Sequence, residues 1–297
     1  MTYTSDYRYC EFPFTCWNKF QERCVDYFTR HINLVISANV ASGKTAIAEA
    51  IMGYELSKQN SKVLYVSPLK AISSEKYSDW IVHPTLMKYR IDLLDSDHHP
   101  EDISRSRIII ATIESVDIAC RNHQEWLKDV SALIFDEAHM IGTEERGATS
   151  EAMLMEFTSI SPDARIIFLS GTMTNAKEIA EWLNKLNGVD TTFVSSNWRP
   201  TKLHKLIEVK SNLRSQIDFI IEKIKSNPDE KILVFVHSKK IGQLIVEKMK
   251  KEGIRCSFFS SDLKEEQRSI VIERFKDQLS GLDVLIATSS LAMGVSL

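Results

Sequence analysis

Two strings in the sequence have residue types and spacing suited to phosphate chemistry. The first is Ala38-Asn39-Val40-Ala41-Ser42-Gly43-Lys44-Thr45, set between an apolar run, Asn33–Ser37, and a segment with helical apolar spacing, Thr45–Lys58. A small-residue turn there offers successive backbone N–H groups and a helix N-terminus, which together form an anion-binding concavity. Ala41, Ser42 and Gly43 line the turn, Lys44 reaches the β- and γ-phosphates, and the Thr45 hydroxyl is a ligand for Mg2+. Ala38 stands where the general pattern has Gly, a small-for-small exchange. The second string is Leu133-Ile134-Phe135-Asp136-Glu137-Ala138-His139, an apolar strand ending in two carboxylates. It places Asp136 to hold the metal and Glu137 to orient and deprotonate an attacking water. A kinase or a small GTPase needs no carboxylate beside the metal-holding Asp, so the pair predicts hydrolysis of ATP with Mg2+ as cofactor.

Such side chains need a rigid edge to stand on. Short apolar runs recur at Asn33–Ser37, Lys62–Ser67, Arg107–Thr112, Ala132–Asp136 and Arg165–Ser170, and none alternates polar with apolar. That is how parallel strands buried on both faces read. Between them, Thr45–Lys58, Glu114–Arg121, Gly147–Ser159 and Asn175–Leu186 have apolar residues at helical spacing, which predicts a doubly wound α/β domain. The alternation pauses over Asn187–Leu203 and then resumes. Helices at Gln216–Ser226, Lys240–Lys251 and Lys264–Gln278 alternate with strands at Lys231–His237, Arg255–Ser260 and Asp283–Thr288. A boundary near 200 divides the chain into 1–200 and a shorter 201–297. The acidic, His-containing stretch Asp92–Asp102 has no ordered ligand spacing and reads as a solvated loop.

Composition sets the outer limits. The chain has 297 residues, 43% hydrophobic and 26% charged, with only 10 Gly and 7 Pro, which excludes disordered and fibrous classes. With 37 Lys+Arg against 40 Asp+Glu there is no basic coat, so any nucleic-acid contact is a local groove. No apolar run approaches the roughly 18–20 residues that span a bilayer, and the N-terminus lacks a secretory pattern. The five cysteines (Cys10, Cys16, Cys24, Cys120, Cys256) include no C-x-x-C pair and fit no zinc spacing. These features predict free thiols in an intracellular protein, cytoplasmic or nuclear/nucleoid, with no membrane partner.

Asp136-Glu137-Ala138-His139 is a DExH box, and the chain resembles the superfamily-two helicases. It is most similar to their superkiller-like branch, which includes RNA-exosome helicases and archaeal and theta-type DNA repair helicases. The matching strings occur in order: Ser67-Pro68-Leu69-Lys70-Ala71 with Glu75-Lys76-Tyr77, Ala111-Thr112-Ile113-Glu114-Ser115, and Arg146-Gly147. Leu169-Ser170-Gly171-Thr172 with Asn175 and Trp182-Leu183, and then Trp198-Arg199-Pro200, follow. Phe235-Val236-His237-Ser238 and Ala287-Thr288-Ser289-Ser290-Leu291-Ala292-Met293-Gly294-Val295 complete the series.

The resemblance implies tandem RecA-like P-loop domains with parallel sheets, the second incomplete. It implies an ATP-dependent helicase or translocase core, monomeric, moving 3′→5′ along a single strand of DNA or RNA. Gln21 takes the place of an adenine-reading glutamine, and Gly294 joins the nucleotide-binding set. His139, Ser170 and Thr172 match residues that couple hydrolysis to strand movement. Pro68, Lys70, Thr112, Glu114, Arg146, Ser238 and Thr288 match positions that touch the sugar-phosphate backbone, contacts that position a strand without reading it. Turn formation by Pro68 and helix capping by Glu114 stand as equal alternatives. Trp198 and Arg199 match a domain linker, with Trp198 expected to be buried against the first domain. The family's next motif, Gln-x-x-Gly-Arg-x-Gly-Arg, is expected after Gly294-Val295, and the sequence stops at Leu297. Two readings follow: a working motor core, or an ATP-gated binding module whose arginines come from a missing C-terminal region or a partner.

Overall fold

The structure, a computed structural model, describes residues 2–143, 146–171, 173–288 and 291; Thr172 and Gly294 lie outside them. The chain divides into two compact units, Met1–Lys202 and Leu203–Leu297.

In the first unit the order is α1 (Lys19–Val25), β1 (Asn33–Ala38), α2 (Lys44–Leu56), β2 (Lys62–Ser67), α3 (Lys70–Trp80), β3 (Ile91–Leu94) and β4 (Ile108–Thr112). Then come α4 (Ile113–Arg121), β5 (Val130–Phe135), α5 (Gly147–Ile160), β6 (Arg165–Ser170), α6 (Ala176–Asn187) and β7 (Thr191–Ser196). The seven strands form one sheet ordered β3-β4-β2-β5-β6-β1-β7, parallel throughout. Successive side chains of a strand face opposite sides of the sheet, so each strand feeds two cores. Leu34, Ile36, Val63 and Tyr65 pack with Phe20, Ile47, Ile51 and Trp80 from α1, α2 and α3. Val35, Leu64, Val66, Leu133 and Phe168 pack with Val116, Met153, Phe157 and Leu183 from α4, α5 and α6. Every residue of β1, β2, β4 and β6 is buried, which is why these strands read as continuous apolar runs.

The two strands that the sequence does not announce are both edges. β7 pairs along its whole length with β1, from Asn33↔Thr191 to Ala38↔Ser196, yet reads Thr-Thr-Phe-Val-Ser-Ser because its other side faces water. β3 overlaps the start of the stretch Asp92–Asp102 expected to be a solvated loop. Only Ile91 and Leu93 of β3 are buried, and Asp95 just beyond it is buried as well. The Asp95 carboxylate closes its own turn, accepting from the Asp97 and His98 N–H groups at 2.8 and 2.9 Å.

The second unit runs α7 (Leu213–Ser226), β8 (Ile232–Phe235), α8 (Lys239–Lys251), β9 (Cys256–Phe259), α9 (Glu265–Lys276) and β10 (Val284–Ala287). Its three-stranded sheet is ordered β8-β10-β9 and is also parallel. Ile217, Ile221, Ile245 and Met249 cover one face, and Phe259, Phe275 and Leu282 pack on the other. The fold class is thus the expected one, a large and a small parallel α/β unit. Among the described residues, no helix is long and apolar enough to cross a membrane.

An ion pair under the first sheet ties the N-terminal segment to the strands. Arg165, the first residue of β6, donates to the Phe28 and Tyr27 carbonyls at 3.0 Å each and lies 3.5 Å from Glu55 of α2, with both side chains fully buried. Removing one member of such a pair leaves a buried charge short of partners. Arg165→Ala is expected to destabilise the protein by about 3–5 kcal/mol, read as a lowered urea midpoint.

Candidate functional site

Because all seven strands of the first sheet run the same way, every strand-to-helix turn leaves at one edge. The phosphate-loop string leaves β1, the paired carboxylates leave β5, and Ser170 ends β6; β5, β6 and β1 are neighbours. The structure therefore brings together residues spread over more than a hundred positions.

The β1 turn wraps around its own lysine. Lys44, first residue of α2, turns its ammonium back to the Ala38 and Asn39 carbonyls at 2.9 and 3.1 Å. Burial lowers its pKa, while Glu137 and Asp136 pull it up. Ala41 sits at φ +61° and Gly43 at φ +89°, left-handed backbone that bends the turn inward. Ser42 Oγ is buried with no hydrogen-bond partner among the described residues. Gly43 is required on two counts. Beyond its φ, an added Cβ would lie 2.3 Å from Gln21 Nε2. Thr45 follows Lys44 in the first turn of α2, half-buried.

Gln21 is buried in α1 and belongs to a capping box with Asn18. Its Oε1 accepts from Asn18 N at 3.0 Å and its Nε2 donates to the Gly43 carbonyl at 3.1 Å. Asn18 Nδ2 donates to the Ser42 carbonyl at 2.9 Å. Two side chains of α1 thus hold the rim of the loop, leaving the Gln21 amide one donor and one acceptor site. Asn18 was legible as the first residue of Asn-x-x-Gln, a helix-start signature.

At the end of β5, Asp136 is held on both carboxylate oxygens. Oδ1 accepts from Glu137 N at 2.9 Å, and Oδ2 accepts from the Tyr65 hydroxyl. Burial pushes its pKa up. Glu137 has left-handed backbone, φ +50° and ψ +42°, which turns its side chain away from the strand direction. Its Oε2 lies 3.2 Å from His139 Nδ1, and His139 Nδ1 lies 3.3 Å from Ser170 Oγ. The contact with His139 holds Glu137 below the usual carboxylate range and raises the imidazole pKa. Ser37 at the end of β1 pins the turn after β6, donating to the Gly171 carbonyl at 3.1 Å and accepting from Met173 N at 3.0 Å. Tyr65 and Ser37 escaped the sequence reading because their partners lie far along the chain; each shows only as a polar residue inside an apolar run.

The other half of the edge holds the expected strand-contact residues. Pro68, directly after β2, is buried, and Lys70 opens α3 exposed. Lys70 Nζ pairs with Asp97 Oδ2 at 2.7 Å. Thr112 ends β4, and its Oγ1 accepts from Ser115 N at 3.4 Å, capping α4. Glu114 is in the first turn of α4 and lies 3.7 Å from Arg146 Nη1, so two of the expected contacts pair with each other. In the second unit Ser238 caps α8, accepting from Ile241 N at 3.3 Å, while Thr288 follows β10 and donates its N–H to the Phe259 carbonyl at 3.1 Å. Trp198, expected to be buried, is 39% exposed, and its carbonyl accepts from Asn39 Nδ2 at 3.4 Å.

The arrangement fits a phosphate–metal group on its own chemistry. A buried unpartnered hydroxyl and a glycine cradle line the turn. The nearby donors, a buried carboxylate and a threonine hydroxyl, are the hard oxygens that Mg2+ prefers. Gly43→Ala is expected to displace Gln21 and weaken adenine-nucleotide binding about tenfold or more, given the ~1–2 kcal/mol cost of left-handed backbone for a side-chain residue. The Glu137–His139 pair makes a second prediction. Its stabilisation is complete between the unfolded carboxylate pKa of about 4.3 and the unfolded imidazole pKa of about 6.5, and it fades as pH rises through the raised folded value of His139 or falls through the lowered folded value of Glu137. An NMR titration should place the His139 midpoint above its ordinary value, and Glu137→Gln should return it toward that value.

The residues 18–179 match the DEAD/DEAH box helicase family, and 215–297 match the helicase conserved C-terminal domain. The chain is 30% identical over 313 residues to the ATP-dependent DNA helicase Hel308 of Thermoplasma volcanium, covering 93% of this chain and 45% of that protein. It is 39% identical over 174 residues to Hel308 of Thermococcus kodakarensis, covering 58% of this chain and 15% of that protein. The chain thus spans less than half the length of these relatives. Among solved structures, the DUF1998 helicase MrfA bound to DNA aligns with a TM-score of 0.75 at 16% identity, covering 93% of this chain and 40% of that one. S. cerevisiae Dbp5 bound to RNA and ADP BeF3 aligns at 0.70 and 18%, covering 95% and 72%. These two likenesses bear on the fold alone. With more than half of its length matched by one family description, the chain belongs to the DEAD/DEAH box helicases.

Proposed function

We propose that this chain is the ATP-hydrolysing core of a nucleic-acid helicase or translocase. The observation that carries the reading is the shared edge of the first sheet, where β1, β5 and β6 present the phosphate loop, the carboxylates and Ser170. Neighbouring strand ends on that edge present Pro68, Lys70, Thr112 and Glu114. Residues 1–200 act as the ATP-binding domain and 201–297 as the C-terminal helicase unit.

Each residue then has a task. Ala41, Ser42 and Gly43 offer backbone N–H groups to the phosphates, and Lys44 exchanges its two carbonyl partners for β- and γ-oxygens. Gln21 uses its remaining donor and acceptor on the adenine edge. Thr45 and Asp136 would hold Mg2+, which neutralises charge on the phosphate oxygens when bound. Glu137 aligns the attacking water and accepts its proton. The His139 contact links this step to Ser170, and Thr172 is the further coupling residue of the reading. Gly294 completes the nucleotide-binding set.

Pro68, Lys70, Thr112, Glu114, Arg146, Ser238 and Thr288 meet the sugar-phosphate backbone of a single strand, DNA or RNA, moved 3′→5′ by a monomer. The five free cysteines suit a reducing compartment, cytoplasmic or nuclear/nucleoid.

Steady-state ATP hydrolysis by the 297-residue chain tests this, with and without single-stranded DNA and RNA, using Lys44→Ala as the blank. Strand-stimulated turnover is expected, with the better polymer naming the substrate. Nucleotide binding without turnover would turn the reading into an ATP-gated binding module. Glu137→Gln should keep nucleotide binding and lower hydrolysis about 10²–10⁴-fold, the usual worth of a general base. Undiminished turnover in that variant would remove Glu137 from its role.

A further inference from the structure

Tyr65 is a buried polar residue that the reaction as described does not use. It lies in the middle of β2 among Val63, Leu64 and Val66, and is 1% exposed. Its register partner on β5 is Ile134, two residues before Asp136. From there its hydroxyl donates to Asp136 Oδ2, while Oδ1 is taken by the Glu137 N–H at 2.9 Å. The ring itself is fixed. Trp80, the last residue of α3 and fully buried, meets it edge-on with centroids 4.8 Å apart and planes at 85°. The Trp80 indole N–H is anchored in turn by Glu49 Oε1 at 2.9 Å.

Packing alone does not call for this hydroxyl. A phenylalanine would fill the same space between aliphatic strands, and a buried hydroxyl costs free energy unless its hydrogen bond is made. A carboxylate has about four in-plane lone-pair sites. With one site on each oxygen occupied from fixed donors, the Asp136 carboxylate cannot rotate about its terminal bond, and its remaining sites face set directions. Groups that orient a metal-binding carboxylate in this way govern metal affinity without touching the ion.

We propose that Tyr65 is a positioning residue for Asp136, holding the carboxylate plane in the orientation that receives Mg2+ with the nucleotide. The proposal rests on the reading of Asp136 as a metal-holding residue. Its effect is on the metal-dependent part of nucleotide binding, not on the fit of the nucleotide to the loop, because the Tyr65 hydroxyl bonds Asp136 and, among the described residues, makes no hydrogen bond to the phosphate turn.

The test is binding of N-methylanthraniloyl-ADP to the full chain by fluorescence, titrated with Mg2+ and repeated in EDTA, for the unaltered protein and Tyr65→Phe. The expected result is unchanged affinity in EDTA and a Mg2+ half-saturation raised about 10–100-fold, the usual effect of removing a partner of a metal ligand. Equal Mg2+ half-saturation in both proteins would overturn the proposal. A loss of affinity in EDTA as large as that in Mg2+ would also overturn it, since that marks a general packing role. If the unaltered protein binds the nucleotide without any Mg2+ dependence, the failure belongs to the assignment of Asp136, and the proposal falls with it.

Should Tyr65→Phe fail to fold, 3-fluorotyrosine at position 65 provides a 19F signal in an otherwise intact chain. Addition of Mg2+ to the ADP-bound protein should shift that signal, while ADP in EDTA should leave it in place. A signal indifferent to Mg2+ would overturn the proposal.

Discussion

Seven strands running in one direction impose a constraint on everything else in the first unit. A parallel strand cannot be joined to its neighbour by a tight turn, so the chain must cross back between strands, and it does so as an α-helix everywhere except from β3 to β4. All strand-to-helix turns therefore open at one edge, and several helices begin there with unpaired N–H groups and the positive end of their dipoles. An anion is favoured at that edge before any side chain is considered. The order β3-β4-β2-β5-β6-β1-β7 then sorts the edge, with phosphate loop, carboxylates and Ser170 to one side and Pro68, Lys70 and Thr112 to the other.

The edge stores strain that the core must hold. Ala41 and Glu137 both have positive φ without being glycine, a cost of about 1–3 kcal/mol each. Lys44 is kept inside its loop against its own desolvation. These costs are met by the two layers of apolar side chains on the sheet and by the N-terminal segment. Tyr7, Trp17 and Phe28 meet edge-to-face with centroids 5.4–6.5 Å apart and bring α1 against the sheet. Asn18 and Gln21 reach the loop rim from that helix, so aromatic packing some distance from the loop sets the position of a side chain that touches it.

The parts of this design that were legible in the sequence are those whose signal is local. The phosphate loop shows in the spacing of Gly43, Lys44 and Thr45, and the carboxylates in their place after an apolar run. Interior strands show because both faces are buried. β3 and β7 did not show, since an edge strand keeps one side in water and loses the continuous run. Contacts across strands were illegible for a different reason. The Tyr65–Asp136 bond joins residues 71 positions apart, and the Ser37–Gly171 bond joins residues 134 apart. Nothing near either residue announces the other. The exposure of Trp198 likewise depends on what lies next to it in three dimensions.

The pairing of two expected strand-contact cations with carboxylates has a physical consequence. Lys70 with Asp97 is an exposed pair, with side-chain exposures of 47% and 64%, while Arg146 with Glu114 is partly buried, at 31% and 52%. Such pairs are worth about 0–1 kcal/mol, because water screens them and ordering two long side chains costs entropy. A phosphodiester oxygen carries the same charge as the carboxylate it would displace, so exchanging one for the other costs little. The released Asp97 would then stand beside the strand and repel it. The proposed track would hold nucleic acid weakly at each contact and depend on several contacts together, which agrees with a chain of net charge −3 that lacks a basic coat. Weak, replaceable contacts are also what stepping along a strand requires, since each must break and re-form as the strand advances.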